Sequence, residues 1–269
     1  MSKKTKLDYF DGKNLLPENT FRIGASSFSN LVNRPWAWYK QQILGLDLFT
    51  QSTSTVIGSV VHYCAECKAQ NKEPDLTEIK QYIQNQSIYE DVDIAVVEAN
   101  WKPMVMELVN SYVLPTLKQY TSVEEFITYD LGSDIHIGGS IDAIQNTDTV
   151  VDYKTINSAT KPSSIPPGYK QQLLVYAWVL IQHKRPIERI KLVYVNRPVD
   201  TRRISEKTGK SIGKYTPPTV TILTEIITEE DIKWIESMIY LARDKLLATE
   251  QQPKLRNLIW HAPEEYFLG

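Results

Sequence analysis

The spacing of apolar residues changes character about midway along the chain. In the first 120 residues they recur every three or four positions, which is typical of helices that bury one face. Four helices are predicted in this part, at residues 25–45, 54–71, 75–86 and 89–120. The fourth contains Pro103, whose ring removes a backbone hydrogen bond of the helix, so we expect a kink or a break there.

From residue 121 onward the chain is rich in Val, Ile, Thr and Tyr, the residues that favour β-strands. Five strands are predicted, at residues 123–131, 135–145, 149–156, 187–198 and 219–227. Polar residues at 146–148 separate the second strand from the third, which indicates a tight hairpin. These strands make up the predicted sheet.

Two helices accompany the strands. One is predicted at residues 167–184, between the third and fourth strands, and the other opens with Thr228 and Asp231 at the spacing of a capping box. This order predicts an α/β protein with a mixed sheet flanked by helices. We interpret residues 1–269 as a single domain, with a helical part at 1–120, a sheet core at 121–227 and a C-terminal helix and tail at 228–269.

The composition limits the classes of function. Apolar residues make up 42% of the 269 residues, which is enough for a sizeable core. The formal net charge is −2, so contact with nucleic acid would have to come from a local patch. The chain start lacks the apolar stretch of a signal peptide, and the longest apolar run, at 173–181, is too short to span a membrane. We expect a cytoplasmic protein without membrane contact, in the host cytoplasm if a phage encodes it.

The predicted hairpin places carboxylates where a strand normally buries apolar side chains. If the chain turns at Thr147, Asp142 and Asp152 lie directly opposite each other on one face. Like charges so placed destabilise a sheet, and burying them adds to the cost. Lys154 shares the face of Asp152, because side chains alternate along a strand. A divalent cation between the carboxylates is the simplest compensation.

This group has the chemistry needed to hydrolyse a phosphodiester. Two carboxylates and the Tyr153 carbonyl suit a hard cation such as Mg²⁺ or Mn²⁺, and a lysine beside them can favour the hydroxide form of water. Two other interpretations remain open, a structural ion network and a one-residue register shift that turns the carboxylates to solvent. The glycines at positions 138 and 139 indicate a bulge or a close backbone approach.

Two predicted helices carry polar residues on faces that are otherwise apolar. Gln172 and Tyr176 are four residues apart and therefore share a helix face. Gly58 and His62 have the same spacing in the second predicted helix. From these residues alone, His62 is either a cation ligand or a hydrogen-bonded residue of the core.

A basic segment at residues 200–218 is a candidate for contact with phosphates. It sets five positive charges against Asp200 and Glu206. The alternative is the solvated tip of a hairpin. The five basic residues are Arg202, Arg203, Lys207, Lys210 and Lys214.

Five short sequences, taken in order, resemble motifs of the PD-(D/E)XK nuclease superfamily in its RecB-type, phage exonuclease-like branch. The first is the segment ASSFSNLVNRPWAWYKQQILGL, which is similar to an N-terminal Ser-x-Ser helix that runs to a Pro and an aromatic pair. The other four match Gly-x-x-x-His, Gly-x-x-Asp, Asp/Glu-x-Lys and Gln-x-x-x-Tyr. They are GSVVH at 58–62, GSID at 139–142, DYK at 152–154 and QLLVY at 172–176.

The resemblance, which covers about residues 22–198, implies a restriction-endonuclease-like core and a catalytic role for several residues. Lys154 would help to activate water, while Gln172 and Tyr176 would line the DNA path and hold Lys154 and the scissile phosphate in place. Metal binding would fall to His62, Asp142, Asp152 and the carbonyl oxygen of Tyr153.

One departure from the family pattern concerns cysteine. Many relatives hold an iron–sulfur cluster through a cysteine before the N-terminal proline and three cysteines near the C-terminus. Here Arg34 precedes Pro35, and no cysteine follows Cys67. The four thiolates that such a cluster needs are not available, so we predict no iron–sulfur cluster.

The expected function is a Mg²⁺- or Mn²⁺-dependent deoxyribonuclease, an exonuclease of DNA recombination, repair or phage DNA processing. DNA is the expected partner, a recombination or single-strand-binding protein is a further candidate, and an oligomer is compatible with this function. Two other classes remain open: a DNA-binding or assembly module that keeps the fold without catalysis, and a metal-binding protein unrelated to nucleic acid.

Overall fold

The computed structural model describes residue 16 and residues 20–46, 51–157, 162–204 and 211–262. Within these ranges a six-stranded mixed sheet lies between two layers of helices. The helices are α1 Phe28–Asn33, α2 Pro35–Gln42, α3 Thr53–Ala69, α4 Leu76–Asn85, α5 Ile94–Leu108, α6 Pro167–Gln182, α7 Glu229–Gln251 and α8 Arg256–Ile259. No helix of these ranges is long and apolar enough to cross a membrane.

Five of the six strands of the main sheet fall close to the predicted positions, and the bounds of those at 135–145 and 149–156 agree with the prediction, whereas the strand Phe21–Gly24 was not predicted. Four two-residue strands, between the last two strands of the main sheet, form two small separate ladders. The main strands are β1 Phe21–Gly24, β2 Tyr120–Asp130, β3 Ile135–Gln145, β4 Thr149–Ile156, β5 Arg189–Asn196 and β10 Val220–Ile226. The small strands are β6 Val199–Asp200, β7 Arg203–Ile204, β8 Ser211–Ile212 and β9 Tyr215–Thr216.

The predicted helices need two corrections. The helix predicted at residues 25–45 is two separate α-helices, because Pro35 starts a new helix directly after Arg34 leaves the helical conformation. The fourth starts later, at Ile94, and its α-helical part continues through Pro103 to Leu108 without a break. A proline inside a helix costs about 3 kcal/mol, and burial of the neighbouring apolar side chains in the core compensates for it.

The two faces of the sheet are covered by different helices. One face packs against α1, α2, α6 and α7, and the other packs against α3, α4 and α5. The alternation of side chains along β4 explains this division, since Val150 joins the first core and Tyr153 the second. The capping box that starts α7 is present, with Thr228 and Asp231 bonding each other's backbone N–H groups.

One edge of β3 is shared by two strands, and this division creates the site. β2 pairs with the other edge along nearly the whole length of β3. On the shared edge, β1 pairs in parallel with residues 135–138 and β4 pairs antiparallel with residues 143–145. In the ladders of the described residues, no strand pairs with residues 139–142 on that edge. We call this stretch the divided edge.

The hairpin register is confirmed near the turn and wrong beyond it. The pairs Ala143–Val151, Ile144–Val150 and Gln145–Thr149 are symmetric about Thr147, as predicted. The ladder stops there, so Asp142 and Asp152 are not cross-strand partners. Beyond Val151, β4 separates from β3 and continues along β5, with which it pairs in parallel over its full length.

Candidate active site

Asp142 connects β3 to β4 at the point where the two strands separate. Its Oδ2 accepts a hydrogen bond of 2.7 Å from the backbone N–H of Tyr153. This side-chain hydrogen bond connects the two strands directly beyond the last backbone pair of their ladder. The Tyr153 side chain points into the opposite core, where its hydroxyl lies 2.6 Å from that of Tyr120. A role for the Tyr153 carbonyl as a ligand remains a prediction.

Asp152 and Lys154 form a close ion pair on the α6 side of β4. Lys154 Nζ donates a hydrogen bond of 2.7 Å to Oδ1 of Asp152 and lies 2.6 Å from Oδ2. Asp152 is only 2% exposed, so the pair is formed by a buried carboxylate. The Lys154 ammonium also lies 5.3 Å from the ring centre of Tyr169, which favours its charged form.

Two residues of α6 complete this side of the site. Gln172 Nε2 donates a hydrogen bond of 2.9 Å to Asp152 Oδ1, so this oxygen accepts hydrogen bonds from both Gln172 and Lys154. Tyr176, one turn later, packs over Gly139, where a Cβ atom would come within 3.4 Å of the tyrosine hydroxyl. The close backbone approach predicted from the paired glycines is therefore present.

Gly138 lies at a second position that requires a glycine, and the space for a side chain is smaller there. Its φ of 141° lies in a region that favours glycine, and a Cβ atom there would lie 2.2 Å from the Ile127 carbonyl oxygen. Any other residue would push β2 and β3 apart directly beside the divided edge.

His62 approaches the carboxylates from the opposite face of the sheet. Its Nδ1 lies 3.4 Å from Asp142 Oδ2, and its ring meets the Tyr153 ring edge-on at 6.2 Å. One turn earlier on α3, Gly58 faces β4, because a Cβ atom there would lie 3.4 Å from Thr155 Oγ1. The glycine and the histidine thus share the helix face that packs on β4.

A cavity of about 160 Å³ lies beside the carboxylates and is lined by five predicted site residues, whereas His62 and Tyr153 are not part of its wall. The five are Asp142, Asp152, Lys154, Gln172 and Tyr176. Arg22, Ser26 and Ser140 also form part of its wall. The structure therefore brings the predicted catalytic residues together around one cavity. Their catalytic roles remain predictions.

Burial sets the ionisation of the site. It raises the pKa of Asp152 to about 6, because Lys154 compensates only part of its cost and the Asp142 charge adds to it. Burial also raises the pKa of Asp142, against the opposing effects of Lys154 and the Tyr153 N–H. Burial and the charge of Lys154 lower the pKa of His62 to about 4. Burial lowers the pKa of Lys154, but the two carboxylates raise it by more, so that its net shift is upward.

Arg22 and Glu124 are ionisable residues close to the carboxylates that were not predicted as part of the site. Arg22, from β1, has its guanidinium 5.7 Å from the Phe126 ring centre and donates a hydrogen bond of 3.3 Å to the Gly138 carbonyl. Its Nε is buried without a hydrogen-bond partner. Glu124, on β2, lies between the residues that pair with the two neighbours of Asp142, and it has a φ of 52°. Burial, followed by the charge of Asp142, raises the pKa of Glu124 to about 8.

The donor chemistry of the site fits a divalent cation. Asp152 Oδ2 is buried and lies 2.6 Å from Lys154 Nζ, and no donor of the described residues reaches it with hydrogen-bond geometry, so this carboxylate keeps a lone pair for a cation. Carboxylate oxygens suit Mg²⁺ and Mn²⁺, and the His62 nitrogen suits Mn²⁺ better. Across the ranges that the structure describes, no three His, Cys, Asp or Glu side chains are already arranged as a complete cation site. Asp142, Asp152 and His62 would hold the cation.

The basic segment does not join the cavity in the part of it that is described. Arg202 is paired bidentately with Asp200, at 2.9 Å and 2.6 Å, so its charge is already compensated. Arg203 and Lys214 are exposed. Lys207 and Lys210 lie outside the described residues. Contact of this segment with DNA remains a prediction.

Opposing pH effects are expected from Asp152 and His62 in the metal-free protein. The folded-state pKa of Asp152 is raised from 3.8 to about 6, so its contribution to stability is lost as pH rises through that window. The folded-state pKa of His62 is lowered from 6.5 to about 4, so its contribution is lost as pH falls through that window. In Asp152→Asn only the second effect remains.

Urea unfolding in EDTA at pH 4.5 and pH 6.5 measures this difference. We expect the unfolding free energy of Asp152→Asn to rise between the two pH values by about 1–2 kcal/mol more than that of the wild type. Equal pH dependence in the two proteins would contradict the assigned ionisation.

A mixed sheet with helices on both faces, carrying two carboxylates and a lysine on adjacent strands, is the architecture of a restriction-endonuclease-like nuclease. The chain belongs to the PD-(D/E)XK nuclease superfamily, whose family model matches residues 22–254. No curated protein matches the sequence.

Solved structures support the same fold. A putative exonuclease from Eubacterium rectale superposes with a TM-score of 0.54 at 13% sequence identity, covering 93% of this chain and 88% of that chain. An alkaline exonuclease from Laribacter hongkongensis matches 72% of this chain and 92% of that chain at 12% identity, with a TM-score of 0.38. The first of these similarities confirms the predicted fold class, and the second is too low in score to support an argument.

Proposed function

We propose that this protein is a divalent-metal-dependent deoxyribonuclease that removes nucleotides from a DNA end. The observation that carries the proposal is the group of Asp142, Asp152 and Lys154 in one cavity at the divided edge. Membership of a nuclease superfamily and the fold shared with a putative exonuclease agree with it.

The residues of the cavity can supply what phosphodiester hydrolysis requires. A cation held by Asp142 and Asp152 would lower the pKa of a water and polarise the phosphate. The Lys154 ammonium, held by Asp152, can donate to the attacking water or to the phosphate oxygens. Gln172 fixes the Asp152 carboxylate, and Arg22 adds a second positive group to the cavity wall.

The basic test uses DNA labelled at either end, as single strands, duplexes and closed circles. We expect shortening from one end with Mg²⁺ or Mn²⁺, no reaction in EDTA and no attack on closed circles. Binding without cleavage in either metal would instead support a non-catalytic DNA-binding module. Cleavage of closed circles would support an endonuclease.

We extend the proposal to a role in DNA recombination, repair or phage DNA processing, with a recombination or single-strand-binding protein as partner. Resemblance to the RecB-type branch supports this context. Co-purification with such a protein, tested with and without DNA, would examine it directly.

His62 provides a prediction about metal preference. If it is a ligand, His62→Ala lowers activity more strongly in Mn²⁺ than in Mg²⁺, because a nitrogen ligand favours Mn²⁺. His62→Gln is the matched variant, since it keeps a polar side chain on the same helix face. The measurement is cleavage rate against metal concentration, with a melting curve of each variant. An active His62→Ala protein with a collapsed melting temperature would support a core histidine instead.

A further inference from the structure

The chain segment that follows β5 is held rigidly beside α3. The Arg197 N–H donates to the Ile156 carbonyl at 3.0 Å, and the Arg197 carbonyl accepts from Asn196 Nδ2 at 2.8 Å. Asn196 is itself buried and accepts from both the backbone and the hydroxyl of Thr219. The backbone of Arg197 is therefore fixed on both sides.

The Arg197 side chain carries a charge for which no described carboxylate is a partner. Its Nη2 donates to Ser54 Oγ at 3.0 Å, and Asn157 Nδ2 lies 3.5 Å from the same oxygen. Burial lowers the pKa of this half-buried guanidinium, and no neighbouring charge offsets that cost. Its remaining N–H donors, with the exposed Asn157 amide, are suited to an anion.

The helix α3 relates Arg197 to Asp142, because its Ser54 contacts Arg197 and its His62 lies 3.4 Å from Asp142 Oδ2. Ser54, Gly58 and His62 are spaced by four residues and share the face that packs on β4. Ser54 and His62 are thus about 12 Å apart along the helix axis, at 1.5 Å per residue. Along the axis of a DNA duplex the phosphates of one strand are spaced by about 3.4 Å, so that distance corresponds to three or four nucleotides of a duplex.

We propose that Arg197, together with Ser54 and Asn157, binds a backbone phosphate of the nucleic acid three or four nucleotides from the bond that is cleaved. The proposal rests on the proposed nuclease function and adds a second anchoring point for the strand. It assigns strand binding to Arg197 ahead of Arg202, because Asp200 already neutralises Arg202.

Substrate length separates this role from catalysis. In Arg197→Gln we expect KM and Kd for a 20-nucleotide strand to rise about tenfold, as for loss of one charge-assisted contact. Turnover of the p-nitrophenyl ester of thymidine 5′-phosphate should not change, because that substrate is too short to reach Arg197. The log–log salt dependence of strand binding, measured by fluorescence anisotropy in EDTA, should become shallower by about 0.7–0.9.

Arg256→Gln is the control, because it removes an equal charge from an exposed position on α8. It should leave KM, Kd, turnover of the ester and the salt dependence at wild-type values. Ser54→Ala frees the guanidinium from its only hydroxyl contact in the described structure and should give a smaller loss in the same direction. Inorganic phosphate at millimolar concentration should compete for the strand in wild type more than in Arg197→Gln.

Three results would overturn the proposal. One is an unchanged salt dependence in Arg197→Gln, and another is an equal effect of Arg256→Gln. The third is an equal loss of turnover on the short ester and on the long strand, which would place Arg197 at the cleavage step. If wild-type protein cleaves neither substrate, the nuclease proposal fails, while the anisotropy measurement in EDTA still decides whether Arg197 binds the strand.

Discussion

Replacing Asp152 with Asn is expected to lower the DNA cleavage rate by about 10³-fold or more, because the variant loses the buried carboxylate that would hold the metal and orient Lys154. Asn has the same shape, so Gln172 keeps a hydrogen-bond acceptor at this position. The measurement is single-turnover cleavage of an end-labelled strand in Mg²⁺ and in Mn²⁺. Asp130→Asn, an exposed change at the end of β2, is the control and should retain wild-type activity.

The same variant should be more stable than the wild type when metal is absent. At pH 7 the folded protein keeps a carboxylate ionised whose folded-state pKa is about 6, against 3.8 for an unperturbed aspartate. This raised pKa already includes the attraction of Lys154, so removing the charge contributes up to about 3 kcal/mol. The order of the two melting temperatures should therefore reverse between EDTA and Mn²⁺. Mn²⁺ should raise the melting temperature of the wild type and change that of Asp152→Asn little. Residual activity of more than a few per cent would remove Asp152 from the metal site.

Local sequence patterns were sufficient to predict β3 and β4. Alternating apolar residues and a three-residue polar turn define both strands and the three pairs next to Thr147. They could not predict that Asp142 and Asp152 leave this register. Beyond this ladder β4 follows β5, whose residues come only after α6 in the chain, and the far end of the same edge of β3 pairs with β1. The spacing of apolar residues predicts helices and strands but not which distant strands pair with each other.

The site residue Arg22 shows a different limit. It belongs to β1, a strand of four residues that pairs with residues 135–138 of β3. So short a segment carries no periodic signal that distinguishes it from the start of the following helix. Yet β1 sets one end of the divided edge, and without it neither the cavity nor its arginine can be placed. Glu124 was missed for a related reason, since its nearness to Asp142 depends on the β2–β3 register.

The candidate site was nevertheless predictable in its main parts, because its residues are separated by spacings that secondary structure converts into geometry. Asp152 and Lys154 are two apart on a strand, and Gln172 and Tyr176 are four apart on a helix. Each pair therefore faces one direction whatever the tertiary fold. Resemblance to the nuclease motifs then indicated that the two pairs and Asp142 meet, which the cavity shows.

Lys154→Ala is expected to lower the single-turnover cleavage rate by about 10²-fold and to change DNA affinity by no more than a few-fold. Burial lowers the pKa of Lys154, but Asp152 and Asp142 raise it further, so the ammonium stays charged at neutral pH. Held 2.7 Å from Asp152 Oδ1, it can turn towards the water or the phosphate as negative charge grows there. Such a contact strengthens in the transition state, so its loss affects kcat more than binding.

Two further variants make this prediction specific. Lys154→Arg should recover only part of the rate, because a planar guanidinium does not replace a compact ammonium beside Asp152. Lys233→Ala removes an exposed lysine of α7 and should cleave at the wild-type rate. The assay is a time course at saturating enzyme, which isolates the cleavage step from release of product. If Lys154→Ala cleaves nearly as fast as wild type, the lysine only balances the charge of the buried carboxylates, and another group must activate the water.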